Sequence, residues 1–120
     1  MYRQYAGLVE FPIISLSEER HLIAMAKRGH KKATDELILR HISFISFRIN
    51  KKVFSDYRER FGNDILSEAV FILYDKISTY NLNYKDKQGN FKPVRFTSYI
   101  WKRVDGFILD FLKEVSIREN

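Results

Sequence analysis

The sequence predicts an all-α fold: a small four-helix bundle with a long loop before its last helix. Three observations carry this. Apolar residues recur at three- and four-residue steps, and no stretch alternates apolar and polar residues for long. Glycine (5) and proline (2) are scarce, so few positions interrupt a helix. Hydrophobic residues make up 45% of the 120 residues and aromatics 15%, enough for the core of one domain.

The first helix is expected to start near Ser17, with Glu18 and Glu19 in the first turn where the helix dipole favours acids. Leu22, Ile23 and Ala26 are its apolar stripe, and Gly29 is a natural left-handed stop. A second helix is expected over residues 31–54. Leu37 or Ile38, Ile42, Ile45, Ile49 and Val53 form its buried face. Residues 57–62 read as a polar break, and Asn63 as the cap of a third helix ending near Thr79. Leu66, Ala69 or Val70, Leu73 and Ile77 are its inward side. Residues 81–95 form the long connection, with Gln88-Gly89-Asn90 as a turn and Pro93 as a breaker. A loop of that length in a small domain is functional or disordered, or marks a mistaken assignment. A fourth helix is expected over residues 97–115, with Ile100, Val104, Phe107, Ile108 and Phe111 as its stripe. Residues 1–15 are then an N-terminal segment, 16–115 the helical domain and 116–120 a fraying tail.

Several function classes are excluded or disfavoured. There is no cysteine, hence no disulfide framework, thiolate nucleophile or cysteine-ligated zinc. No apolar run is long enough to span a bilayer, and residues 1–10 lack the basic start and apolar stretch of a secretory signal. A cytoplasmic location without a membrane partner is expected. His21, His30 and His41 form no i, i+4 pair, and no phosphate-binding glycine loop or base–nucleophile pattern occurs. No catalytic residue, metal or cofactor is expected, and nothing points to an enzyme.

The net charge of +6 is unevenly placed. Residues 27–60 hold 10 basic and 4 acidic residues, 61–83 hold 1 and 3, and 84–120 hold 8 and 5. A basic surface suits a polyanion or simply stays solvated. The acidic break in the middle is the more informative feature. On a helical wheel Asp64, Glu68, Phe71, Asp75 and Ser78 share one side of the third helix. That side is a solvated acidic face, a docking surface for a basic partner anchored by Phe71, or, least favoured, a carboxylate metal site from Asp64 and Glu68. The fourth helix opens with Phe96, Tyr99 and Trp101 among Arg95, Lys102 and Arg103, after Lys85, Lys87 and Lys92 in the loop. Aromatics stack on unpaired bases while cations hold phosphates. Alternatively, the rings are core and the cations solvated, and at least one ring must face inward.

The order of these pieces resembles region 2 of bacterial sigma factors of the sigma-70 family, with the end of region 1.2 in front, over residues 16–113. Leu16-Ser17-Glu18-Glu19 with Leu22 and Gly29 is similar to the family's opening helix, and Ala33, Leu37 and the stripe through Ile49 to the next. Asp64-Ile65-Leu66-Ser67-Glu68-Ala69, with Leu73 and Tyr80-Asn81, resembles the polymerase-binding helix. Arg95-Phe96-Thr97-Ser98-Tyr99 resembles the opening of the promoter-melting helix, and Asp110-Phe111-Leu112-Lys113 its end.

The resemblance implies a transcription initiation factor that binds core RNA polymerase and captures the melted −10 promoter strand. Asp64, Ser67, Glu68 and Tyr74 would contact the clamp coiled coil of the largest subunit, with Phe71 added from the wheel. Phe96 and Tyr99 would stack on a flipped adenine, Arg95 would contact phosphate, and Trp101, Lys102 and Arg103 would continue the DNA surface. The loop with Lys85, Lys87 and Lys92 would lie near the non-template strand. An anti-sigma factor or a separate −35-binding protein are further partners it admits. Three departures matter. Lys102 and Arg103 stand where housekeeping members carry a tryptophan pair, and Trp101 comes one residue early, turned by about 100°, which puts the fork-wedging role in question. Asp105-Gly106 replaces a basic-polar pair. The −35-binding region 4 does not follow, as expected of a shortened chain, a factor with a separate partner, or a phage or mobile-element variant. These departures motivate the alternative, a polymerase-binding regulator that docks on the clamp without opening promoters.

Overall fold

The computed structural model describes residues 12–119, so most of the N-terminal segment 1–15 and Asn120 fall outside the described residues. Within them the chain is an all-α bundle of four helices: α1 (Leu16–Lys27), α2 (Lys31–Lys52), α3 (Ser55–Thr79) and α4 (Phe96–Glu119). None is long and apolar enough to cross a membrane.

Helix α1 begins one residue after Ser15, not at Ser17. Ser15 and Glu18 form a reciprocal capping box, the serine hydroxyl accepting from the Glu18 N–H at 3.0 Å. Gly29 ends the turn with φ 90°, as its lack of a Cβ allows. His30 then caps α2. The α2 stripe is buried as expected: Leu37, Ile38, Ile42, Ile45 and Ile49, followed by Val53 in the extended link. Helix α2 stops at Lys52.

Helix α3 starts eight residues before Asn63, and residues 57–62, expected to break the chain, are helical. The reason is tertiary. Tyr57 and Phe61, one turn apart, meet edge to face, and Phe61 meets Phe111 of α4 at 5.9 Å. The Arg58 guanidinium donates to the carbonyls of Asn50 (3.0 Å) and Val53 (2.9 Å), satisfying the end of α2. Leu66, Ala69, Leu73 and Ile77 face inward together with Ile65. Helix α4 likewise runs through the expected tail to Glu119, whose carboxylate pairs with Arg60. Ile100, Val104 and Ile108 are fully buried, while Phe107 and Phe111 are half-buried at the edge of the core.

The connection from α3 to α4 is folded. Asp86 accepts from the N–H groups of Gln88 (3.0 Å) and Asn90 (2.9 Å), Gly89 takes φ 83°, and Lys85 and Phe91 form an antiparallel bridge. Arg20 of α1 holds this small hairpin. It donates to the Leu82 carbonyl at 2.6 Å and lies over the Phe91 ring at 4.8 Å.

Candidate functional site

The outer side of α3 carries the predicted acidic face. Asp64, Ser67, Glu68, Phe71, Tyr74 and Asp75 are all exposed, opposite the buried Ile65, Leu66, Ala69, Leu73 and Ile77. Phe71 is 70% exposed, on the same side of the helix as the acids. Asp64 and Asp75 lie about 16 Å apart along the axis, so the acids flank Phe71 over three turns. No group of three or more acids and histidines is placed to hold a metal ion among the described residues.

At the C-terminal end of α3 an aromatic cleft opens. Tyr80, Asn81, Tyr84, Val94 and Tyr99 line about 280 Å³. Tyr99 stands edge-on to Tyr80 at 5.4 Å, its hydroxyl shares a hydrogen bond with Thr79 at 2.9 Å, and Lys76 lies 5.1 Å from its ring. Tyr80 donates to the Val94 carbonyl, and burial raises its phenol above the usual range, so it remains a neutral donor. The cleft thus offers the half-buried Tyr99 and the exposed Tyr84, with buried Tyr80 beneath them and the Lys76 ammonium beside Tyr99. That suits a planar ring attached to an anion. Tyr80 and Tyr84 were not among the residues singled out for binding. The only sequence sign of Tyr80 was its place at the end of the third helix.

Phe96 corrects the expectation of base stacking. Its side chain is fully buried against His41 (4.9 Å, edge to face), Tyr80 and Tyr99, leaving no ring face for a base. Its N–H donates to the Glu19 carboxylate at 2.8 Å, so an acid of α1 caps the first turn of α4. Glu19 is itself buried. Arg95 is only partly available to phosphate. It donates to the Ile14 carbonyl at 2.8 Å and pairs with Glu19 at 3.7 Å. His41 lies in the same layer. Its Nδ1 is 2.7 Å from the Leu37 carbonyl, and burial holds its pKa below the ordinary range.

Trp101 is 42% exposed on the other flank of α4, two residues and about 200° from Tyr99. The structure brings it to α2, where Arg48 lies 4.7 Å from the ring centre and Phe44 meets it edge-on at 5.2 Å. Arg48 is buried and forms two hydrogen bonds with Asp105, at 2.9 and 2.6 Å. Asp105, which stands where the resemblance has a basic-polar pair, is therefore the partner of a buried guanidinium. Lys102 and Arg103 are exposed beside Trp101. Lys85, Lys87 and Lys92 are exposed on the hairpin between α3 and α4. Compared with known protein families, curated proteins and solved structures, the chain matches none of them.

Proposed function

We propose that the chain is a transcription initiation protein of the sigma-70 region 2 kind, acting in the bacterial cytoplasm. It docks on the clamp coiled coil of core RNA polymerase through the acidic face of α3, and it captures an unpaired −10 base in the tyrosine cleft. The observation that carries this reading is the exposed acidic face along α3 together with the tyrosine cleft at that helix's C-terminal end. Asp64, Glu68 and Phe71 are exposed along α3, and the Tyr80–Tyr84–Tyr99 cleft opens at that helix's end. A basic coiled coil suits the first, and a flipped base suits the second. Lys76 lies beside the Tyr99 ring, and Lys85, Lys87 and Lys92 are exposed on the connection that supplies Tyr84. In this mechanism no covalent bond changes. The open strand binds better than the closed duplex, which shifts the equilibrium toward opening.

The alternative, a regulator that binds polymerase without opening promoters, is favoured by one observation. Phe96 is buried and Arg95 is engaged by Glu19 and Ile14, so two expected DNA contacts are reduced. Polymerase pull-down combined with binding to a forked −10 oligonucleotide separates the two. Core binding with preference for the unpaired base supports initiation. Core binding without that preference supports the regulator, and no core binding sinks both.

A further inference from the structure

A groove runs between α1 and the connection that joins α3 to α4, and it shares no lining residue with the tyrosine cleft. Its volume is about 530 Å³, within the range of roughly 300–1,000 Å³ usual for small-molecule sites. Leu16 and Ala24 of α1 form one wall, and Leu82, Phe91 and Pro93 of the connection form the other. Ser17, Arg20 and His21 are its polar members, and no carboxylate lines it among the described residues. Glu18 lines the neighbouring groove, with Leu22 and Arg40.

Arg20 gives the groove its chemistry. Leu16, Arg20 and Ala24 follow i, i+4, i+8 on α1, with Ser17 and His21 next to them, so one side of the helix meets the connection. The Arg20 guanidinium donates from Nη2 to the Leu82 carbonyl at 2.6 Å and lies over the Phe91 ring at 4.8 Å. Its Nε is buried without a hydrogen-bond partner. It pairs with no carboxylate among the described residues. A guanidinium carries five N–H donors and keeps its charge at every accessible pH. Most of that donor set, and the charge itself, are unmatched by the protein. Drawing a charge partly out of water, against apolar walls, costs free energy that a matching anion recovers.

We infer that this groove binds a small organic carboxylate with an apolar body. Arg20 holds the carboxylate, His21 is a second donor, and the hydrocarbon lies on Leu16, Ala24, Leu82 and Phe91. One arginine matches a single negative charge, which favours a carboxylate over a doubly charged phosphate. Apolar walls favour a hydrocarbon body over a small inorganic anion. Both walls touch such a ligand, so it reinforces the tie that Arg20 makes between α1 and the connection. Neither the α3 face nor the tyrosine cleft takes part.

The probe is octanoate, titrated into the full chain with isotope-labelled leucine and alanine methyl groups and followed by nuclear magnetic resonance. Saturable shifts are expected at Leu16, Ala24 and Leu82, with a thermal midpoint that rises with octanoate concentration. Octanol carries the chain without the charge, and acetate the charge without the chain. Each is expected to bind at least about 10-fold more weakly than octanoate. Arg20→Gln is expected to weaken octanoate by about 10-fold. Because Arg20 also holds the connection, Ala24→Phe is the second variant. It keeps the guanidinium and fills the groove, and it is expected to abolish the shifts at Leu16 and Leu82 while the helical circular dichroism is kept. Octanol binding as tightly as octanoate overturns the carboxylate assignment. Shifts that never saturate, or octanoate binding that Ala24→Phe leaves unchanged, overturn the site. So does binding that Tyr99→Ala removes and Ala24→Phe spares, which moves the ligand to the tyrosine cleft.

Discussion

The carboxylate of Glu19 accepts the backbone N–H of Phe96 at 2.8 Å, across 77 positions of the chain. This contact couples α1 to the first turn of α4, and Tyr99 sits one turn further on. Glu19 is buried, so losing it leaves an amide without a partner in a dry site and unpairs one side of Arg95. Glu19→Ala is expected to lower stability by about 2 kcal/mol, measured as the shift in urea midpoint at constant slope. Glu19→Gln keeps an acceptor oxygen and should recover at least half of the loss. An alanine variant as stable as the parent would show that water replaces the cap.

The stripes of all four helices were legible because they need only a helical period: Ile23, Ile45, Leu73 and Ile108 are buried where periodicity puts them. The exposed α3 face was legible for the same reason, as the complement of a buried stripe. What was missed depends on partners far away in sequence. Residues 57–62 look polar, yet Tyr57 and Phe61 form an aromatic pair that packs on Phe111 of α4. Phe96 sits in a motif that suggests DNA, and its inward direction depends on His41 and Glu19 in other helices. Asp105 looked like a loss of basic contact until Arg48, 57 positions away, came beside it.

That Arg48–Asp105 pair predicts a pH-dependent stability. Hydrogen bonding from the Arg48 guanidinium holds the Asp105 carboxyl below the ordinary carboxylate range. A carboxyl with a depressed folded pKa stabilises the fold above its unfolded value, about 3.9, and loses that contribution as pH falls through the folded value. Asp105→Asn should therefore cost roughly 3 kcal/mol at pH 7, and its deficit should shrink on acidification below about pH 4. Arg48→Met combined with Asp105→Leu should be closer to the parent than either single variant, because no charge is stranded. Denaturant titrations at neutral and acid pH check both statements. Additive single effects in the double variant would contradict them.

His41 predicts loss of stability in a different window. Burial lowers its pKa in the folded protein, against the opposing pull of the Leu37 carbonyl and Glu19 and with the help of Arg40. The unfolded chain therefore takes up the proton first as pH falls below about 6.5. Stability should be flat with respect to this group above that pH and decline below it, until the folded imidazole titrates too. The slope between about pH 6.5 and 5 should flatten in His41→Gln, whose amide can still donate to Leu37. An identical slope in parent and variant would place the titration elsewhere.

The α3 face predicts a separation between folding and docking. Glu68 is exposed between Asp64 and Phe71, with no buried contact to lose, so Glu68→Arg should change stability by less than about 0.5 kcal/mol. Against a basic coiled coil the same change replaces attraction with repulsion, which costs several kcal/mol in like-charge contacts. Core polymerase pull-down should drop at least tenfold, on the order of 1.4 kcal/mol, while the thermal midpoint stays in place. Phe71→Ala should weaken docking without the salt dependence that Glu68→Arg shows, since it removes apolar area rather than charge. Tyr99→Ala should leave core binding unchanged and weaken the forked oligonucleotide by about tenfold. If instead Glu68→Arg spares core binding, the acidic face is a solvated surface and the clamp is not its partner.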